Sequence, residues 1–201
     1  MILTLSAASS LYWLGRYMLR VEALCERLPF EDDDQALAYA DSFSLSAWNV
    51  ETLNAVLHDP QRVGSLPNNL AVIQDNIQAV RGILPRSVFE AFNALWRQRE
   101  QPDACTCDLL QQAAAQLQHL DVVARSFWQL GRALEAVDMA LRLHEPVQPV
   151  AEQLLQVAHQ LPLPEWQSQV DLVAQLVEQP DVIRLYALCD RLHLAFVEGS
   201  T

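Results

Sequence analysis

Apolar residues recur along this chain at three- and four-residue steps, the spacing that gathers them on one face of an α-helix. Leu11, Leu14, Met18, Val21 and Cys25 form the clearest stripe. They predict a first helix from about Leu5 to Leu28, capped near Thr4 or Ser6 and stopped by Pro29. A second helix is expected from Asp34 to Leu57, then an irregular stretch from His58 to Pro67. A third runs from Asn68 to Leu84, with Asn68 or Asn69 as its cap and Pro85 beyond its end. Val88, Phe89, Phe92, Leu95 and Trp96 mark a fourth, from about Ser87 to Gln98. Gln101-Pro102-Asp103 interrupts the chain before one long helix from about Cys107 to His144, which Pro146 and Pro149 end. Two or three shorter helices follow, over Val150 to Gln160, Pro164 to Glu178, and Asp181 to Phe196. Pro162 and Pro180 separate them, and Asp181 caps the last. No stretch shows strand alternation. The pattern predicts an all-α fold, a bundle of about seven to eight helices joined by short connections. It reads as a single helical domain over residues 1–201, with a division into helical halves 1–100 and 101–201 left open.

One motif occurs twice on these helices. Ser10-Leu-Tyr-Trp-Leu-Gly-Arg16 continues to Val21-Glu22, and Ser126-Phe-Trp-Gln-Leu-Gly-Arg132 continues to Val137-Asp138, at a constant offset of 116 residues. Each copy keeps a glycine in mid-helix, where alanine would be better by roughly 1 kcal/mol. Such a position implies close approach to the backbone, by a crossing helix or by a ligand. The bundle therefore carries a pseudo-repeat of the Leu-Gly-Arg helix. Arg16 and Arg20 share a helix face, as do Arg132 with Glu135 and Glu135 with Asp138. If the motif helices pack against each other, Arg20 is expected to pair with Glu135. The charged set is open to three readings: an ion pair that joins two helices, a cleft for a carboxylate-bearing ligand, or plain surface charge. Tyr12, Trp13, Phe127 and Trp128 are expected in the core.

Composition narrows the chemistry. The 201 residues carry a net charge of -12, without the basic footprint of a nucleic-acid-binding protein. Every basic residue other than histidine is arginine. That removes Schiff-base and Walker-type lysine mechanisms and leaves guanidiniums suited to gripping carboxylates. The acids Glu31 to Asp34 are expected to cap the second helix. Cys25 and Cys189 read as core; Cys105 and Cys107 form an isolated C-x-C, expected to stay reduced. No helical His-x-x-x-His metal motif, phosphate loop or nucleophile elbow is present, so neither a metal nor a cofactor is expected. The uncharged stretch Met1 to Gly15 lacks the basic start of a signal peptide, and Arg16 and Arg20 interrupt it. A cytoplasmic protein without a membrane span is expected.

Tyr12-Trp-Leu-Gly-Arg-Tyr-Met-Leu-Arg-Val-Glu22 resembles the opening signature of the alpha-E domain family, an all-helical group named for a Glu-Arg motif. Gln74-Asp-Asn-Ile-Gln-Ala-Val-Arg81 and Phe89-Glu-Ala-Phe-Asn93 resemble its middle block, and Leu130-Gly-Arg-Ala-Leu-Glu-Ala-Val-Asp138 its second signature. The likeness spans about residues 5 to 145. The chain departs from the pattern at its namesake: the first copy reads Leu19-Arg20 and the second Glu135-Ala136. Gln74 and Gln78 stand where arginine is usual. The resemblance implies a short, diverged member in the neighbourhood of ATP-grasp amide ligases. It implies a polar centre drawn from Arg16, Arg20, Glu22, Asn76, Arg81, Arg132, Glu135 and Asp138. Three functions follow as expectations. The first is a non-catalytic helical partner of an ATP-grasp-type peptide or amide ligase. The second is an enzyme of that pathway acting on a carboxylate-bearing peptide-like substrate, and the third a self-associating scaffold.

Overall fold

The computed structural model describes residues 3–97, 104–161 and 166–198. Among them are ten α-helices and no strand: α1 Leu5–Cys25, α2 Asp33–Ser42, α3 Val50–His58, α4 Leu66–Val80, α5 Arg86–Arg97, α6 Ala104–Leu117, α7 Val122–Arg142, α8 Gln148–His159, α9 Gln167–Glu178 and α10 Val182–Glu198. The all-α expectation holds, with more helices than the seven to eight predicted. The expected break at Gln101–Asp103, the break at Pro162 and the start at Pro164 lie outside the described residues.

Two predicted helices are each divided, and side-chain caps do the dividing. The segment expected as one helix from Asp34 to Leu57 is α2 and α3. Ser44 turns the chain with φ at 54°, and the Leu45 N–H donates back to the Ala40 carbonyl at 2.8 Å. Asn49 then restarts the helix in a capping box. Its Oδ1 accepts the Thr52 N–H at 2.9 Å, and the Thr52 hydroxyl accepts the Asn49 N–H at 3.1 Å. The expected long helix from Cys107 to His144 is α6 and α7. Here Asp121 accepts the Val123 N–H at 3.0 Å and opens α7 without help from proline or glycine. The cap of α4 is Ser65, which accepts the Asn68 N–H at 3.2 Å, and not Asn68 or Asn69. Thr4, Asp32 and Asp181 cap α1, α2 and α10 as expected.

The chain divides into two compact units, one of residues 1–16 with 119–201, the other of residues 17–118. In the first unit α7 packs on α8, α8 on α9, and α10 on both α9 and α7. Its core is aromatic: Trp166 lies 5.2 Å from the ring of Phe127 and 4.9 Å from that of Phe196, which in turn lies 5.4 Å from Tyr12. Tyr12, Phe127 and Trp128 are buried as expected, while Trp13 is 37% exposed.

In the second unit α2 packs on α3, α3 on α4, α4 on α5 and α5 on α6. Asn54 pins the linker ahead of α2, accepting the Phe30 N–H at 3.0 Å and donating to its carbonyl at 2.9 Å. A disulfide joins Cys25, at the end of α1, to Cys107 in α6, 82 residues away. This corrects two expectations. Cys25 is a half-buried bridge residue, not a core thiol, and Cys107 is oxidised. Cys105 is the neighbour of Cys107 in sequence, but the fold brings Cys25 to it from a distant helix. No described helix is long and apolar enough to cross a membrane.

Candidate functional site

The two motif glycines meet in the first unit. A methyl group at Gly15 would overlap the carbonyl oxygen of Trp128, and one at Gly131 would overlap that of Tyr12. Trp128 and Gly131 follow Tyr12 and Gly15 by the same 116 residues, so the two contacts are reciprocal. The repeat thus packs on itself, and each glycine accommodates the backbone of the other copy. Close helix crossing is what both positions require, and no ligand is needed to explain either glycine.

At that crossing the motif's charges come together. Arg16 Nε donates to Glu135 Oε2 at 2.8 Å, and its Nη2 donates to Asp138 Oδ2 at 3.2 Å. Arg142, one helical turn after Asp138, donates from Nε to Asp138 Oδ1 at 2.8 Å and from Nη2 to the Tyr186 hydroxyl at 3.2 Å. The result is a chain, Glu135–Arg16–Asp138–Arg142–Tyr186, in which two guanidiniums face two carboxylates. Glu135 is 0% exposed, Arg16 7% and Asp138 7%. A buried arginine with this geometry is bound to its acids, since removing either partner would strand the other charge in a poorly solvating interior.

The surroundings reinforce that closure. Burial opposes the Arg16 cation, but the neighbouring Tyr12, Glu135 and Cys189 groups, with the hydrogen bond to Glu135, hold its pKa above the ordinary arginine value. Burial drives the Tyr12 hydroxyl well above its ordinary value, against the pull of Arg16. Burial likewise raises the half-buried Cys189 thiol, whose Sγ lies 4.0 Å from Arg16 Nη1. A raised thiol holds less thiolate, the opposite of an activated nucleophile. The Trp128 indole N–H is buried and meets no acceptor among the described residues.

The predicted site residues are therefore distributed as follows. Arg16, Glu135 and Asp138 form the buried centre. The arginine that the first unit seats on Glu135 is Arg16, where the sequence named Arg20. Arg20 belongs to the second unit, its guanidinium 5.1 Å from the Tyr17 ring. Glu22 lies on the same part of α1. Arg132 lies 5.3 Å over the Trp128 ring. Asn76 turns its amide back to the Val72 carbonyl in its own helix at 2.8 Å. Arg81 closes α4 as its C-cap. Sequence reasoning missed Arg142, Tyr186 and Arg86. The signal for Arg142 was present, an acid four residues ahead of an arginine on one helix.

The second unit contains an open cleft at the turn between α4 and α5. It is lined by Arg81, Leu84, Arg86 and Phe89 and has a volume of about 390 Å³. Arg81 and Arg86 are exposed there. Arg86 donates from Nε to Glu90 Oε1 at 2.6 Å. This arrangement offers two guanidiniums beside an apolar wall.

A protein helical throughout its described residues, with a glycine-mediated crossing and an arginine–carboxylate knot in its first unit, is the class these observations define. The family profile of the Alpha-E domain, a predicted alpha-helical domain with a conserved ER motif, matches residues 30–175, and the chain belongs to that family. The matched span holds α7 with Glu135 and Asp138 and begins after the first motif copy. No characterised protein and no solved structure matches the chain.

Proposed function

We propose that this protein is a non-catalytic, partner-binding member of an ATP-grasp-type peptide or amide ligase system, and that it binds a carboxylate-bearing segment of the ligase or its peptide at the Arg81–Arg86 cleft. One observation carries this reading: the motif charges Arg16, Glu135 and Asp138 are buried against one another, whereas Arg81 and Arg86 are two accessible guanidiniums at an open cleft with apolar walls. A carboxylate would take a bidentate grip from such a pair, and a neighbouring aliphatic or aromatic group would cover Leu84 and Phe89. The raised thiol of Cys189 and the paired state of Arg16 argue against an enzyme built on the motif.

The same reading keeps the protein in the cytoplasm. There the Cys25–Cys107 bridge is the bond on which the reducing thiol pool acts. Trapping thiols in intact cells before lysis reads its state.

Co-expression with an adjacent ATP-grasp ligase gene, followed by sizing of the purified complex, tests the proposal. Co-elution that is lost in Arg81→Glu/Arg86→Glu is the expected result. Turnover of ATP or an amide by the purified chain alone would overturn the non-catalytic reading.

A further inference from the structure

Helix α10 has two apolar faces. Leu185, Leu188, Leu192 and Phe196 are buried. On the opposite side Ile183 is 81% exposed, Val197 54%, and Tyr186 and Leu194 about half. Isolated exposed apolar residues are ordinary, but four along one face of one helix form a patch of the kind that marks an interaction surface.

The spacing of the stripe selects the occupant. With Asp190 as the centre, Tyr186 and Leu194 stand four residues before and after it, and Ile183 and Val197 stand seven before and after. Steps of four and seven keep all five positions on one helix face. The stripe is therefore a palindrome: turned end for end, it presents the same pattern. Two copies laid antiparallel about a two-fold axis at Asp190 would set Ile183 against Val197 of the other copy, and Tyr186 against Leu194. The charges agree. A bare acid on the axis would face its own like, but Arg191 sits next to Asp190, and both are exposed. Across the axis each Asp190 meets the Arg191 of the other copy. A closed two-fold contact needs this kind of self-complementary patch.

We propose that the exposed face of α10 is a homodimer interface, in which two copies pack antiparallel with Asp190–Arg191 pairs at the axis. The contact is independent of the Arg81–Arg86 cleft. One helix pair buries less than the roughly 1,200 Å² of a standard stable interface, so the dimer is expected to form in the micromolar range.

Sedimentation equilibrium of the full chain from about 1 to 300 µM, a span chosen to bracket that affinity, tests this. A concentration-dependent monomer–dimer equilibrium is expected. Ile183→Glu/Leu194→Glu should be monomeric throughout, with unchanged circular dichroism, because both positions lie on the exposed face of α10. Asp190→Arg should weaken association at least tenfold by setting like charges across the axis, and the exchange Asp190→Arg/Arg191→Asp should restore it. A wild-type chain that stays monomeric, a dimer that survives Ile183→Glu/Leu194→Glu, or a charge exchange without rescue overturns the proposal.

Discussion

Arginine plays opposite parts in the two units. In the first, Arg16 is buried against Glu135 and Asp138 at the point where the repeated motif crosses itself. In the second, Arg81 and Arg86 stand in water at the edge of an apolar cleft. The residue type is the same and the chemistry differs, because solvent sets what a guanidinium can do. A sealed arginine is committed to its acids, and separating them is costly. An exposed arginine has little invested in any one partner and can exchange it for a ligand's carboxylate. The motif that dominates the sequence is therefore the part that holds the first unit together, and the less conspicuous turn between α4 and α5 is the part open to a ligand.

The largest effect that would break this comparison concerns glycine. Gly131→Ala drives a methyl group into the Tyr12 carbonyl, a backbone atom that no rotamer change can move. A loss at or above the upper end of the usual overpacking range of about 1–3 kcal/mol is expected in urea unfolding. Gly82, beside the cleft, has nothing within 4 Å of an added methyl, and its φ is not left-handed. Gly82→Ala should be neutral or stabilise by about 0.4–1 kcal/mol. Equal losses at the two glycines would erase the contrast.

Next in size is the bridge. Cys25→Ser opens a closure over 82 residues and should cost about 2–4 kcal/mol under non-reducing conditions. With a reductant present the variant and the wild type should converge. A difference that persists in reductant would assign the loss to packing.

Alkaline pH probes the closed centre. The folded Tyr12 pKa is raised by burial, so the protonated phenol favours the native state. That contribution is complete below the ordinary tyrosine pKa of about 10 and is lost as pH rises toward the folded value, at up to about 1.4 kcal/mol per pH unit. Unfolding free energy should therefore fall more steeply above pH 10 in the wild type than in Tyr12→Phe; parallel profiles would place the hydroxyl in contact with water. The smallest stability effect belongs to Arg81→Glu/Arg86→Glu, within about 0.5 kcal/mol because both side chains are at the surface. Its consequence should appear in ligand binding alone.

Much of this contrast was legible in the sequence, and the gaps have physical causes. The apolar stripe of α1 and the close approach at the glycine pair follow from periodicity and from the 116-residue repeat, which also put Arg16, Glu135 and Asp138 in the expected charged set, though with Arg20 as the partner of Glu135. The divisions at Ser44–Asn49 and at Asp121 were missed because polar side chains can cap a helix anywhere they find a free N–H. Neither break needed proline or glycine. The choice between Arg16 and Arg20 rests on helix rotation, which a shared face one turn long leaves open. The Cys25–Cys107 bridge joins distant helices, so local spacing gives no sign of it; Cys25 reads as core and Cys107 as a reduced thiol. Arg86 carried no motif, and its position at a cleft depends on how the turn after α4 folds.

The central claim is that the Arg16–Glu135 pair is structural, and a double-mutant cycle tests it most directly. Arg16→Met strands the buried Glu135 carboxylate and should lose about 3–5 kcal/mol of unfolding free energy, while Glu135→Leu leaves Arg16 on Asp138 and should lose less. The double variant removes both charges and leaves Asp138 paired with Arg142, so it should return to within about 1 kcal/mol of the wild type. It should also retain binding at the Arg81–Arg86 cleft. A double variant that loses the sum of the two single losses, or one that folds normally and no longer binds, would contradict the account.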